Sequence, residues 1–181
     1  MKVVAITGYS GSGKTQLIEQ VIATFKAQRL RVSAVKHAHH RFDMDHPGKD
    51  SWRFREAGAS EVVIASDQRL ALLREFDRVA ELSVHQMLAE LSTGVDWVLV
   101  EGWRSSDLPK IEVWRAACGH QAHYPGDPFI AAVATDDAAA LPASAPCPVL
   151  NLNRPQDVAR WLLDNGQRFD YAAPQPLSRH A

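Results

Sequence analysis

Apolar and polar positions alternate along the chain between two textures. Short runs such as Val3-Val4-Ala5-Ile6 and Val98-Leu99-Val100 read as strands buried on both faces. Between such runs lie stretches with the 3.6-residue stripe of a surface helix; residues 14–28, with Leu17, Ile18, Val21, Ile22 and Phe25, are the clearest. The pattern predicts strands over 2–7, 31–36, 61–65, 69–75, 96–100, 110–114, 129–134 and 148–152. It predicts helices over 14–28, 50–57, 83–91 and 155–165. Ser83 is placed as an N-cap, and Gly58, Gly94 and Gly166 fall just past helix ends. Residues 61–75 read as a hairpin turned at Ser66-Asp67-Gln68.

Strands alternating with helices imply an α/β fold with a mostly parallel sheet covered on both faces. Ligands of such sheets bind beyond the carboxyl ends of the strands. That rule puts the loops after Thr7, Lys36, Val100 and Ala134 on one rim.

The first of these loops, Gly8-Tyr9-Ser10-Gly11-Ser12-Gly13-Lys14-Thr15, fits the phosphate-loop pattern in full. A triphosphate must be wrapped by backbone N–H groups, which needs tight dihedrals and no obstructing Cβ atoms. The helix that follows points its positive end at the phosphates, with Gln16 in its first turn. Lys14 supplies a compact charge for the β and γ oxygens, and the Thr15 hydroxyl a hard oxygen for magnesium. The expected fold is therefore a P-loop NTPase-type three-layer sandwich with a mostly parallel sheet and a peripheral β-hairpin. One nucleotide-binding domain is expected over 1–170, with a flexible tail over 171–181.

Glu101, at the end of the apolar run from Trp97, is expected as the metal-side carboxylate at the rim, acting directly or through water. Asp96 begins that strand and belongs at the opposite edge. Residues 37–51 hold four histidines (His37, His39, His40, His46) and three aspartates (Asp43, Asp45, Asp50). Their spacing matches no standard zinc pattern. Contact with nucleotide or with a partner are both open readings. Asp45 is a candidate magnesium ligand, and Lys36, Lys49 and Arg53 are candidate phosphate counter-charges. Ala134-Thr135-Asp136-Asp137 ends a strand where a carboxylate could accept from guanine N1 and N2.

Composition narrows the field. The 181 residues carry a formal net charge of -1, so no overall basic field draws the chain to nucleic acid or to an anionic membrane. The two cysteines, Cys118 and Cys147, have neither zinc nor redox spacing. No apolar stretch has the length of a signal core or a membrane span, so a cytoplasmic location is expected.

Several blocks together carry a resemblance: the phosphate loop, residues 35–59 with Pro47-Gly48-Lys49-Asp50-Ser51, residues 98–104 with Glu101-Gly102-Trp103-Arg104, and Pro109-Lys110-Ile111-Glu112-Val113. Over about residues 2–165 the chain resembles the MobB family of molybdopterin-guanine dinucleotide biosynthesis adapter proteins. That resemblance implies GTP as the nucleotide, bound with Mg2+, at most slow hydrolysis, a homodimer, and a guanylyltransferase as protein partner. It also implies phosphate binding by Gly11, Ser12, Gly13, Lys14, Thr15 and Gln16, metal binding by Thr15, Glu101 and Asp45, and nucleotide-side roles for Lys49 and Ser51. Two other readings compete. A small-molecule kinase would use Asp43 or Asp45 as base, and an ATP-dependent ligase resembling dethiobiotin synthetase would prefer ATP.

Overall fold

The computed structural model describes residues 1–38 and 42–174. His39, His40 and Arg41 of the His/Asp loop, and residues 175–181 of the expected tail, lie outside the described residues. The chain folds into two compact units, residues 1–37 with 83 onward, and residues 38–82.

The first unit holds β1 (Lys2–Thr7), α1 (Lys14–Ala27) and β2 (Val32–Lys36). The second holds α2 (Asp50–Glu56), β3 (Glu61–Ala65) and β4 (Leu70–Arg74). The chain then returns to the first with α3 (Val84–Ala89), β5 (Trp97–Glu101), β6 (Lys110–Trp114), β7 (Ile130–Thr135), β8 (Val149–Asn151) and α4 (Pro155–Asp164). Every expected strand and helix forms, with ends shifted by at most two residues. Three 3₁₀ turns, Ala116–Cys118, Ala138–Ala140 and Gly166–Phe169, were not anticipated.

The six strands of the first unit form one sheet in the order β2-β5-β1-β6-β7-β8, every pair parallel. β1 is thus flanked by β5 and β6, which fixes whose carboxyl ends meet the phosphate loop. Alternation along β1 sorts the core into two layers. Val4 and Ile6 pack with Leu17, Val21 and Phe25 of α1 and Val158 and Leu162 of α4. Val3 and Ala5 pack on the other face with Val84 and Leu88 of α3. Each fully buried aliphatic or aromatic side chain in these layers stabilises the fold by about 1.5–3 kcal/mol. Trp97 is core, as expected, touching Phe25 and Phe169. Ser83 closes a capping box on α3, accepting from Gln86 N–H while the Gln86 side chain accepts from Ser83 N–H. Asp96 lies just before β5 and takes the Arg31 N–H at 2.7 Å.

The second unit is a two-stranded antiparallel sheet, β3 with β4, and the short helix α2. Two strands and seven helical residues enclose little core, and an ion-pair hub supplements it. The Arg55 guanidinium pairs with Glu75 at 2.7 Å, Asp43 at 3.1 Å and Asp45 at 3.3 Å. These partners raise the Arg55 pKa, Glu75 most of all. Asp43 is held below the usual carboxylate range by the Asp45 N–H and then by Arg55. For Asp45, desolvation pushes upward; the His46 N–H, the Ser51 hydroxyl and Arg55 together outweigh it, and the net shift is down.

Both depressed carboxylates bind protons more weakly folded than unfolded. Their contribution is therefore intact at neutral pH and lost as pH falls through their folded values, below 3.8. Amide hydrogen exchange should show residues 43–51 losing protection in that acid window before the first unit's sheet does. Arg55→Met should bring the same loss at neutral pH.

Candidate functional site: a phosphate loop with an adjoining cavity

The phosphate loop begins where β1 ends. Gly8 has φ +135°, and a Cβ there would stand 2.3 Å from the Val113 carbonyl oxygen of β6. Only glycine allows the loop to lie so close to the neighbouring strand. Gly13, at φ +101°, is the N-cap of α1 and offers no side chain to cap it. The first-turn N–H groups of α1 are therefore left for another acceptor. The Ser12 side chain is 1% exposed, and its hydroxyl has no hydrogen-bond partner. A bare helix start beside an orphaned buried hydroxyl is a cradle of donors of the kind that a phosphate group would satisfy.

Lys14, Thr15, Glu101 and Lys36 lie together at this loop. Lys14 Nζ donates to the Tyr9 carbonyl at 2.8 Å. Burial lowers the Lys14 pKa; the nearby Glu101 charge opposes that and Lys36 adds to it. Thr15 Oγ1 donates to Glu101 Oε2 at 3.1 Å, and Lys36 Nζ pairs with Glu101 Oε1 at 3.2 Å. The Glu101 side chain is only 16% exposed. Thr15 and Glu101 thus present hard oxygens side by side, the donor type that magnesium takes. Among the described residues there is no cluster of three or more His, Cys, Asp or Glu able to hold a metal by themselves. A magnesium ion held largely by phosphate and water needs no such cluster.

On the other flank, Arg115 ties two loops together. Its Nε–H donates to the Ser12 carbonyl at 2.9 Å, and its Nη1 pairs with Asp136 at 2.7 Å. Beside it lies a cavity of about 370 Å³, lined by Gly13, Gln16, Gln20, Arg115, Leu152 and Asn153, among others. Asp136 adjoins this cavity through Arg115 and through Asn153, whose side-chain amide reaches the Asp136 carbonyl at 3.5 Å. Asp137 is turned to a local task, accepting from Ala139 N–H at 2.9 Å.

Gly11, Ser12, Gly13, Lys14, Thr15, Gln16 and Glu101 all belong to the first unit, whereas Asp45, Lys49 and Ser51 belong to the second. Ser51 Oγ donates to Asp45 Oδ1 at 2.9 Å, and the Asp45 side chain is 6% exposed. Lys49 is the exposed N-cap of α2. Sequence reasoning missed Arg115, Gln20 and Asn153. Arg115 was within reach of the strand-end rule, since it directly follows β6. Gln20 and Asn153 carry no local signal. Trp103 stacks with His37 at 4.7 Å, a packing role beside Glu101.

A family model described as molybdopterin guanine dinucleotide synthesis protein B (MobB) matches residues 3–136. A Haemophilus influenzae protein named molybdopterin-guanine dinucleotide biosynthesis adapter protein is 38% identical over 157 residues, 87% of this chain and 85% of that one. Its Escherichia coli namesake is 33% identical over 162 residues, 88% and 90% of the two chains. The crystal structure of a MobB homologue from Bacillus stearothermophilus superposes with a TM-score of 0.67 at 26% identity, covering 92% of this chain and 99% of that one.

The close approach at Gly8 sets a test. Gly8→Ala should cost about 3 kcal/mol through overpacking and backbone strain, read as a lower urea midpoint. Gly11→Ala, where an added Cβ meets nothing within 4 Å, should cost less than half as much.

Proposed function

The chain belongs to the MobB family, and on that premise we propose that it is an adapter in molybdopterin guanine dinucleotide biosynthesis that holds GTP for a partner guanylyltransferase. The carrying observation is the donor cradle: a glycine-capped helix start, the orphaned Ser12 hydroxyl and Lys14, all in one loop. Gly11, Ser12, Gly13, Lys14, Thr15 and Gln16 are assigned to the triphosphate. Mg2+ would be held by Thr15 and Glu101, where it would draw charge off the β and γ oxygens. Lys36, already paired with Glu101 at 3.2 Å, holds that carboxylate in place.

The guanine is assigned to the cavity beside Gly13, about 370 Å³ in volume, where Gln16, Gln20 and Asn153 offer amides and Asp136 stands behind Arg115. Family membership favours the adapter over a small-molecule kinase or a ligase. Lys49 and Ser51 keep their proposed roles toward the nucleotide, and Asp45 its proposed role toward Mg2+, through the loop that Arg55 orders. A cytoplasmic site of action is part of the same reading; no described helix is long and apolar enough to cross a membrane.

Protein contacts are assigned to the second unit. Phe42 and Met44 are 73% and 79% exposed, and Val63 and Leu72, paired across β3 and β4, are exposed on one face with Leu70. Apolar surface of this kind suits the guanylyltransferase and a second copy of the chain.

Calorimetry should show GTP binding with Mg2+ more tightly than ATP. Lys14→Ala should weaken GTP at least about 100-fold, by removing a charged partner of the phosphates. Glu101→Gln should weaken the Mg2+ dependence more than GTP affinity without metal. Unchanged affinity in Lys14→Ala overturns the nucleotide assignment. Val63→Glu with Leu72→Glu should abolish co-purification with the guanylyltransferase or self-association on size exclusion, leaving GTP affinity intact.

A further inference from the structure

Two segments of the first unit converge on the ring of Tyr9, the second residue of the phosphate loop. His120 stacks on it with centroids 4.0 Å apart, and His123 lies tilted at 5.0 Å. The Arg104 guanidinium is 6.0 Å from the same ring, and its Nη1 lies 3.2 Å from His123 Nε2.

The group is pinned from the sheet outward. The Trp114 indole N–H donates to the His120 carbonyl at 3.0 Å. Glu112, fully buried in β6, accepts the His123 N–H on both oxygens, at 2.8 and 3.1 Å, and the Tyr124 N–H at 2.8 Å. A buried carboxylate given over to two backbone amides fixes the loop that carries both histidines. Nearby acids are engaged elsewhere: Glu112 with those amides, and Asp127 with Lys110 at 3.0 Å. Among the described residues no carboxylate forms an ion pair with the side chains of Arg104, His120 or His123. Three basic side chains are thus held on one ring, beside the triphosphate loop, with no anion among them. Tyr9 joins the two places, because its carbonyl accepts Lys14 Nζ.

We propose that Tyr9, Arg104, His120 and His123 form a second anion site that takes a small phosphate monoester alongside the nucleotide. The proposal rests on the GTP reading of the phosphate loop. A monoester dianion offers three acceptor oxygens, two for the arginine fork and one for an imidazole N–H. A carboxylate offers only two. The stacked Tyr9 and His120 rings give the organic part of the ester an aromatic surface. The chemistry of a dinucleotide agrees, since its pyrophosphate joins a nucleoside phosphate to a second phosphate ester.

The test uses the full chain saturated with magnesium and guanosine 5′-(β,γ-imido)triphosphate. Phenyl phosphate is titrated in while the imidazole C–H resonances are followed by NMR. The His120 and His123 signals should shift saturably. Half-saturation should rise about five-fold or more in Arg104→Ala and in His123→Ala, as expected for loss of one charge-assisted contact. Affinity for the triphosphate analogue should stay within about two-fold, because these side chains are not its ligands. Shifts that vanish once the analogue fills the loop overturn the site, as does no saturable shift by millimolar phenyl phosphate. Equal loss of analogue affinity in Arg104→Ala makes the cluster part of the nucleotide site and also overturns it. Benzoate binding as tightly overturns the monoester assignment. Should the analogue itself fail to bind, the GTP reading fails, and titration of nucleotide-free protein still decides the cluster by its dependence on Arg104.

Discussion

The close passage of the phosphate loop over β6 is the constraint on which the first unit's chemistry depends. At Gly8 the backbone lies so near the Val113 carbonyl that a methyl group has no room. Held there, the loop buries Ser12, starts α1 on bare amides and turns Thr15 toward Glu101. Three adjacent strands then share the task. β1 delivers the loop, β5 delivers Glu101, and β6 presses the loop from the other side and is followed by Arg115. The parallel order β5-β1-β6 puts all three carboxyl ends on one rim, and an antiparallel neighbour would have removed one of them.

β6 also carries two buried charges on one face, Lys110 and Glu112, while Ile111 and Val113 face the helical layer. Taking a charge out of water costs several kcal/mol unless its partners are good. Here they are: Lys110 donates to the Ser106 carbonyl at 2.6 Å and pairs with Asp127, and Glu112 accepts backbone N–H groups. Glu112 anchors the loop that follows β6 on the ligand rim, whereas Lys110, at the start of the strand, ties together the segments that lead into β6 and β7. The strand thereby sets rim geometry as well as core packing.

The second unit follows a different logic. It has little core, and Arg55 gathers Asp43, Asp45 and Glu75 around one guanidinium while its sheet keeps an apolar face outward. In the sequence block around Pro47-Gly48-Lys49-Asp50-Ser51, Asp45, a candidate metal ligand by sequence, is also a loop-ordering acceptor. Charge and spacing alone do not distinguish the two roles. A carboxylate near a serine and an arginine in sequence serves either, and only its three bonded donors show what occupies it.

Local pattern determined much of this protein. Hydrophobic periodicity sufficed for the strands and helices, because burial on two faces or along one stripe writes itself into consecutive residues. The phosphate loop was equally legible, since its glycines, lysine and threonine answer a demand made within eight residues. Glu101 followed from the end of an apolar strand. What only the tertiary structure decided is every pairing across distance: Arg115 with Ser12 and Asp136, Gln20 and Asn153 on one cavity, and Tyr9 among Arg104, His120 and His123. Strand order brings these residues together, and strand order is set by competition among whole-sheet packings that no window of sequence records. The triphosphate cradle is local and could be read; its surroundings are non-local and had to be seen.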